Sequence, residues 1–256
     1  MRKVTQKAFT KEGQVLRKER DIYRLLNHNI QRLLNQAPRA GEYGFPAICC
    51  NTNVFPDYLA LYNQPGYYHR TPKTCVCFYS YDFSFDDIHG LFNAIYYGDK
   101  ELIQKYKVRF KDVRFFISPD YSIFGDIQKV ENLYRVWKSR IVALWLIIEL
   151  HAVVIPNIMY YSAADLSITC CGLENCSVVA FSSKGHVRYA NERALTKQAV
   201  KYVVDNLPLK AIVVYSACGD DNTCLKLFQY AIDKGIKIVI PDNSLRASNI
   251  RRRCQK

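Results

Sequence analysis

Between residues 74 and 240 the chain alternates short apolar runs with longer segments whose apolar residues recur every three or four positions. Six runs rich in β-branched or aromatic residues are predicted strands, at 75–79, 113–117, 152–155, 177–181, 211–215 and 236–240. Helices are predicted between them at 85–106, 127–150, 191–206 and 222–234, with a weaker helical piece near 163–171. The runs lack polar alternation and each is followed by a helix. That pattern predicts an α/β fold with parallel strands covered on both faces, joined by right-handed crossovers.

Ahead of this region, Val15, Ile22, Tyr23, Leu26, Ile30 and Leu33 recur at helical spacing with arginines and lysines among them, predicting a basic amphipathic helix over 15–34. Residues 37–74 are rich in Pro, Gly, Asn and Tyr and read as irregular structure holding one short strand at 47–50. The strands then number seven, one short of a (β/α)8 barrel. A barrel-like closure and an open sheet are the two candidates, and polar residues recurring just past the strands favour the barrel. The expected organisation is a basic helical extension at 1–40, a parallel α/β domain at 41–245 and a basic tail at 246–256.

Charge sharpens the picture because it is segregated. The net charge is +13, of which 1–40 carry +7 and 246–256 carry +5, leaving a near-neutral body. Arg17, Lys18, Arg20 and Arg24 at one end and Arg251, Arg252 and Arg253 at the other are therefore candidate contacts for nucleic acid, since clustered cations release counterions from phosphates. Basic ends serving solubility alone are the alternative. About half the residues are hydrophobic, enough for a substantial core. The longest apolar run, 141–150, is shorter than the roughly 20 residues a membrane helix needs. The chain opens on no apolar signal segment, so its ten cysteines are expected to be reduced thiols of a cytoplasmic protein.

A set of blocks runs through the middle of the chain. Ser118-Pro119-Asp120-Tyr121-Ser122 follows a predicted strand, and Tyr134, Trp137, Ser139, Arg140 and Trp145 lie on the next helix. Val154-Ile155-Pro156-Asn157 closes the following strand, and Cys171-Gly172-Leu173, Val178 to Ser182 and Gly185 come later. In order and spacing these blocks resemble a family of uncharacterised proteins of bacteria, phages and other mobile elements, catalogued as a domain of unknown function. The resemblance covers about a third of the chain. It implies fold and context rather than a reaction. Ala143 stands where the family pattern has glycine before the tryptophan, and Cys170-Cys171 where an acidic residue often precedes the glycine.

For chemistry, Pro119 stiffens the exit from its strand and holds the Asp120 carboxylate in one place, as a general base or metal ligand needs. Asp82, Asn157 and Asp242 follow other strands and are its expected catalytic companions. Capping of a turn is the competing role for Asp120. Arg140 shares a helix face with Trp137 and is a candidate anion grip, or else the partner of a carboxylate such as Asp120. Ser182 and Lys184 follow a strand and could gather around phosphate, without the spacing of a P-loop. The Tyr-rich stretch 58–68 suits either stacking on bases or a satellite core. No paired Cys or Cys/His spacing marks a metal site, and the sequence specifies no cofactor. Two functions follow: a nucleic-acid-associated enzyme with its site at the carboxyl ends of the strands, or a non-catalytic accessory factor binding nucleic acid or protein.

Overall fold

The computed structural model describes residues 8–9, 15–16 and 28–255. The first elements are two small antiparallel pairs, β1 (Ala8–Phe9) with β2 (Val15–Leu16) and β3 (Arg39–Ala40) with β4 (Phe45–Pro46), separated by helix α1 (His28–Leu34). Parallel strands β5 (Tyr58–Leu61) and β6 (Thr74–Cys77) follow, then helices α2 (Leu91–Tyr97) and α3 (Lys100–Arg109), strand β7 (Phe115–Ile117), helix α4 (Lys129–Leu150) and strand β8 (Val153–Ile155). The second half contains helix α5 (Leu166–Thr169), strand β9 (Val178–Ser182), helix α6 (Ala190–Asn206), strand β10 (Ala211–Tyr215), helices α7 (Asp221–Leu225) and α8 (Gln229–Asp233), strands β11 (Lys237–Val239) and β12 (Asp242–Asn243), and helix α9 (Ser244–Cys254).

One parallel sheet has five strands in the order β12-β5-β6-β7-β8, and a second has three in the order β11-β10-β9, also parallel. They touch through a parallel bridge between Asn157 and Ala180, where Ile158 N–H donates to Ala180 O (2.9 Å) and Ala180 N–H to Pro156 O (2.8 Å). The segment 237–243 borders both sheets, pairing with β10 at its start and with β5 at its end.

Strands β6, β7, β9 and β10 are buried because helices cover them: Val76, Phe116, Ile117, Ala180, Phe181 and Val213 have essentially no exposed surface. Helix α4 contributes a continuous buried run from Lys138 to Leu146, including Ala143 with no exposed surface and Trp145. Among the described residues no helix is long and apolar enough to cross a membrane.

Several expectations are corrected. Val15 and Leu16 pair with Phe9 and Ala8 as an extended strand, so the predicted basic helix does not begin there. A β-branched residue in a strand pair satisfies its backbone without helical neighbours, which periodicity alone could not weigh. The helix in this region is α1, and Arg17, Lys18, Arg20 and Arg24 lie outside the described residues. Residues 47–50 form no strand. Their backbone is spent elsewhere: Ala47 N–H donates to Pro38 O (2.8 Å), Ile48 N–H to Gly172 O (2.9 Å), and Cys50 O accepts from Ser177 N–H (3.0 Å). The strand that this stretch contributes to the parallel sheet is instead Tyr58–Leu61.

The helix predicted at 85–106 is two helices, because Gly98 adopts a left-handed φ of 68° as the C-cap of α2 and Asp99 N-caps α3 through Glu101 and Leu102 N–H. The helix at 222–234 likewise divides into α7 and α8. The basic tail is helix α9, capped by Asn243 with its three arginines in the last turn, where cations complement the helix dipole.

Candidate functional site

Two strand exits build the site. Strands β7 and β8 run parallel in register, Ile117 opposite Ile155, and each ends on a residue followed closely by proline and a polar side chain: Ser118-Pro119-Asp120 and Pro156-Asn157. Proline fixes φ and stiffens both exits, so the carboxylate and the amide leave the sheet side by side. Asn157 Nδ2 donates to Asp120 Oδ1 at 2.7 Å. The amide is itself held: Tyr79 Oη donates to Asn157 Oδ1 (2.8 Å), and Asn157 N–H donates to Ser118 Oγ (2.9 Å). With its oxygen occupied by Tyr79, the amide must present its NH2 to Asp120. Tyr79 is buried, its ring 5.1 Å from that of Tyr215.

Asp120 opens onto a pocket of about 190 Å³ at the carboxyl ends of β7, β8 and β9, lined also by Asn157, Met159, Tyr160, Ser182 and His186. Its surface is only partly exposed, and the surrounding protein makes ionisation costly. Burial pushes the Asp120 carboxyl up to about 7; the hydrogen bond from Asn157 and the Lys184 ammonium work against that rise, and the nearby Asp82 charge adds to it. Asp120 Oδ2 has no hydrogen-bond partner among the described residues, which leaves it for a ligand. Across the pocket Tyr160 Oη lies 3.0 Å from Thr196 Oγ1, and His186 Nδ1 is 3.2 Å from Glu192.

Two of the expected catalytic companions, Asp82 and Asp242, part company with Asp120. Asp82 accepts from Ser122 N–H (3.1 Å), Ser122 Oγ (3.0 Å) and Arg135 (2.9 Å), so its carboxylate anchors the loop that follows Asp120. Asp242 is exposed, accepts from its neighbour's N–H (2.9 Å) and sits 3.5 Å from Arg246; it does not line the pocket. Ser182 lines the pocket, and its hydroxyl accepts from Lys184 N–H (3.1 Å). The Lys184 ammonium is engaged by Tyr79 O (3.1 Å) and lies 5.3 Å from the Tyr81 ring centroid.

Arg140 is buried in α4 and donates to Thr169 O (3.0 Å), neither stacked on Trp137 nor paired with Asp120. Trp137 instead stacks on Tyr134 with centroids 5.9 Å apart. Of the Tyr-rich stretch, Tyr58, Tyr62 and Tyr68 are buried; Tyr62 and Tyr68 meet the Phe110 ring and the Arg109 guanidinium. Arg251 and Arg252 are exposed, and Arg253 pairs with Asp220 at 2.7 Å. Tyr79, Tyr160 and His186 were not singled out from the sequence as site residues. Tyr79 carried one signal, a hydroxyl at the end of an otherwise apolar run. Among the described residues no group of three or more His, Cys, Asp or Glu side chains is placed to hold a metal ion.

Fold and site together define a parallel α/β protein carrying one carboxyl of near-neutral pKa in a strand-end pocket. The chain belongs to the family described as Domain of unknown function (DUF4417), whose model matches residues 37–231. Searches of curated proteins and of solved structures returned no match.

Proposed function

We infer that the protein is an enzyme in which Asp120 exchanges a proton with a substrate group bound in the strand-end pocket, and that its basic ends tether it to nucleic acid. The observation that carries this reading is the Asp120–Asn157 pair: a carboxyl raised to about 7, one oxygen oriented by a fixed amide and the other open to the pocket. A general acid or base works best with a pKa near the working pH, and such groups concentrate at catalytic sites. Asn157 keeps the carboxyl in one orientation, Ser182 and Tyr160 offer polar contacts to a ligand, and Met159 supplies an apolar wall.

Tethering is supported by charge. Arg251 and Arg252 project from the last turn of α9, and the ends of the chain hold nearly all the net positive charge. In this reading the protein is cytoplasmic and works as an accessory enzyme of a mobile element, as its resemblance implies. The strands form a barrel of seven positions, with 237–243 bridging β10 and β5 and the Asn157–Ala180 bridge joining β8 to β9. The supporting pairings are parallel throughout, and in such barrels sites sit at the carboxyl ends of the strands.

The test is turnover and binding on single- and double-stranded DNA and RNA and on free nucleotides, with the full chain and its Asp120→Asn variant. Turnover that falls by about 10²-fold or more in the variant, with binding retained, is the expected result. Turnover unchanged by Asp120→Asn contradicts the catalytic role. Salt-sensitive binding without turnover by either protein replaces it with the accessory-factor reading, which the exposed arginines of α9 favour.

A further inference from the structure

The segment that leaves β6 inverts the usual order of hydrophobicity. Asp82 turns inward to Ser122 and Arg135, while Tyr81 and Phe83 on either side of it are 72% and 76% exposed. Large rings left in water mark a contact surface when they gather. These two gather on each other, with centroids 5.6 Å apart and planes only 8° from parallel. Their backbone is held in a tight turn by Ser84 N–H donating to Tyr81 O (2.8 Å) and Phe85 N–H to Asp82 O (3.0 Å). The rings are therefore presented to solvent in a fixed arrangement, which lowers the ordering cost of binding.

The ring pair stands at the mouth of the Asp120 pocket. Ser122, which Asp82 holds, lines that pocket, and so does the exposed Phe124. Lys184 joins rings to pocket: its N–H donates to Ser182 Oγ in the pocket wall (3.1 Å), and its ammonium lies 5.3 Å from the Tyr81 ring centroid. Further round the strand ends, Arg188 is exposed with its guanidinium 5.4 Å from the ring centroid of Tyr189, also exposed. Arg188 and Gly219 line a hollow of about 310 Å³ past β9 and β10, and Gly219 packs against Asn249 and Arg253 of α9. The arginine turn of α9 thus reaches the same end of the sheet. Among the described residues Lys184 and Arg188 form no ion pair, whereas Asp82 and Asp86 are neutralised by Arg135 and Lys138.

Exposed rings interleaved with free cations match one partner chemistry: unpaired bases that stack on the rings, joined by phosphates that meet the cations. A duplex keeps its base faces covered and offers the rings nothing. We propose that the rim formed by Tyr81, Phe83, Lys184, Arg188 and Tyr189 binds a single strand of nucleic acid and lays one of its nucleotides over the Asp120 pocket. The fate of that nucleotide rests on the acid–base role of Asp120, whereas the stacking surface rests on ring geometry and charge alone. Every base has a flat face, so the rim selects strandedness rather than sequence.

Short oligothymidylate and oligouridylate, each with iodouracil in place of one base, are the probes for the full chain. Irradiation joins iodouracil to a ring stacked on it, and peptide mass spectrometry locates the bond. Crosslinks are expected at Tyr81, Phe83 or Tyr189, and this map needs no variant. Fluorescence anisotropy at a salt concentration that screens phosphate contacts should show the Tyr81→Ala/Phe83→Ala double variant binding single strands about tenfold or more weakly. Tyr97→Ala, which removes a ring on α2 that is 74% exposed, should leave affinity within about twofold. Tighter binding of either oligomer names the sugar and supports the surface. Crosslinks confined to 246–255 would overturn the proposal, as would single-strand affinity unchanged in the double variant or lost equally in Tyr97→Ala. Ring-dependent binding with turnover indifferent to Asp120→Asn would remove the acid–base reading and keep the strand surface. Turnover that needs Asp120 but not the rings would do the reverse.

Discussion

The two ends of the parallel strands hold hollows of opposite character. At the amino ends of β9 and β10, a cavity of about 630 Å³ is bounded by Pro38, Ile48, Asn51, Gly172, Ser177 and Lys210. Backbone bonds organise it: Ile48 N–H to Gly172 O, and Ser177 N–H to Asn51 Oδ1 at 3.1 Å. The carboxyl-end pocket has less than a third of that volume, yet it contains a carboxyl displaced to about 7 and an amide whose every polar atom is assigned. Volume follows from how loops pack over a sheet, whereas chemistry follows from what the strand exits bring together. The smaller hollow is therefore the site we propose, and the larger one is where residues 47–51 and 172–177 join the domain.

Substitutions at the two ends should separate accordingly. The largest effect belongs to Asp120→Asn, which removes the carboxyl proposed to exchange a proton without removing volume, and is read as the loss of turnover described above. Next is Asp82→Asn, which strips the charge that meets Arg135 and Ser122. It should cost roughly 1–3 kcal/mol in denaturant unfolding and lower the Asp120 pKa, because Asp82 charge raises it. A stability loss with no movement of the Asp120 titration would break the link between anchor and site.

The smallest effect belongs to the amino end. Gly172 has φ +83°, and a Cβ there would approach Ala47 Cα to 3.2 Å and Pro46 O to 3.3 Å. Gly172→Ala should cost about 1–2 kcal/mol by strain and crowding and leave turnover per folded molecule unchanged. A Gly172→Ala protein that is fully folded but inactive would dissolve the division between the two ends.

The strand-helix alternation was legible because buried parallel strands are apolar throughout and their helices have a visible period. Asp120 and Asn157 were legible for a related reason: each stands just past a strand and directly after proline, and neighbouring strands hold such exits together. Asp82 and Asp242 look equivalent in sequence, since both follow strands. What separates them is the partner each meets, Arg135 and Ser122 for one and Arg246 for the other, and those partners come from segments far along the chain or from a helix read as a tail. Arg140 misled because helix periodicity gives the face a residue occupies but not the depth at which that face is buried. Tyr58–Leu61 was hidden by flanking Pro, Gly and Asn, although its four-residue apolar run is the same signal that marked the other strands.

The stability of the fold should carry the same signature. Asp120 has a folded pKa above its unfolded value of 3.8, so it adds no pH dependence below that value; as pH rises towards 7 the unfolded chain releases the proton first and stability falls. Its most direct reading is the titration of the Asp120 side-chain carboxyl itself, followed by carbon-13 NMR in the full chain and assigned by its disappearance in Asp120→Asn. The account predicts a midpoint near 7. A midpoint near the ordinary value of 3.8 would mean a solvated carboxylate, and the strand-end pocket would lose its claim to acid–base chemistry.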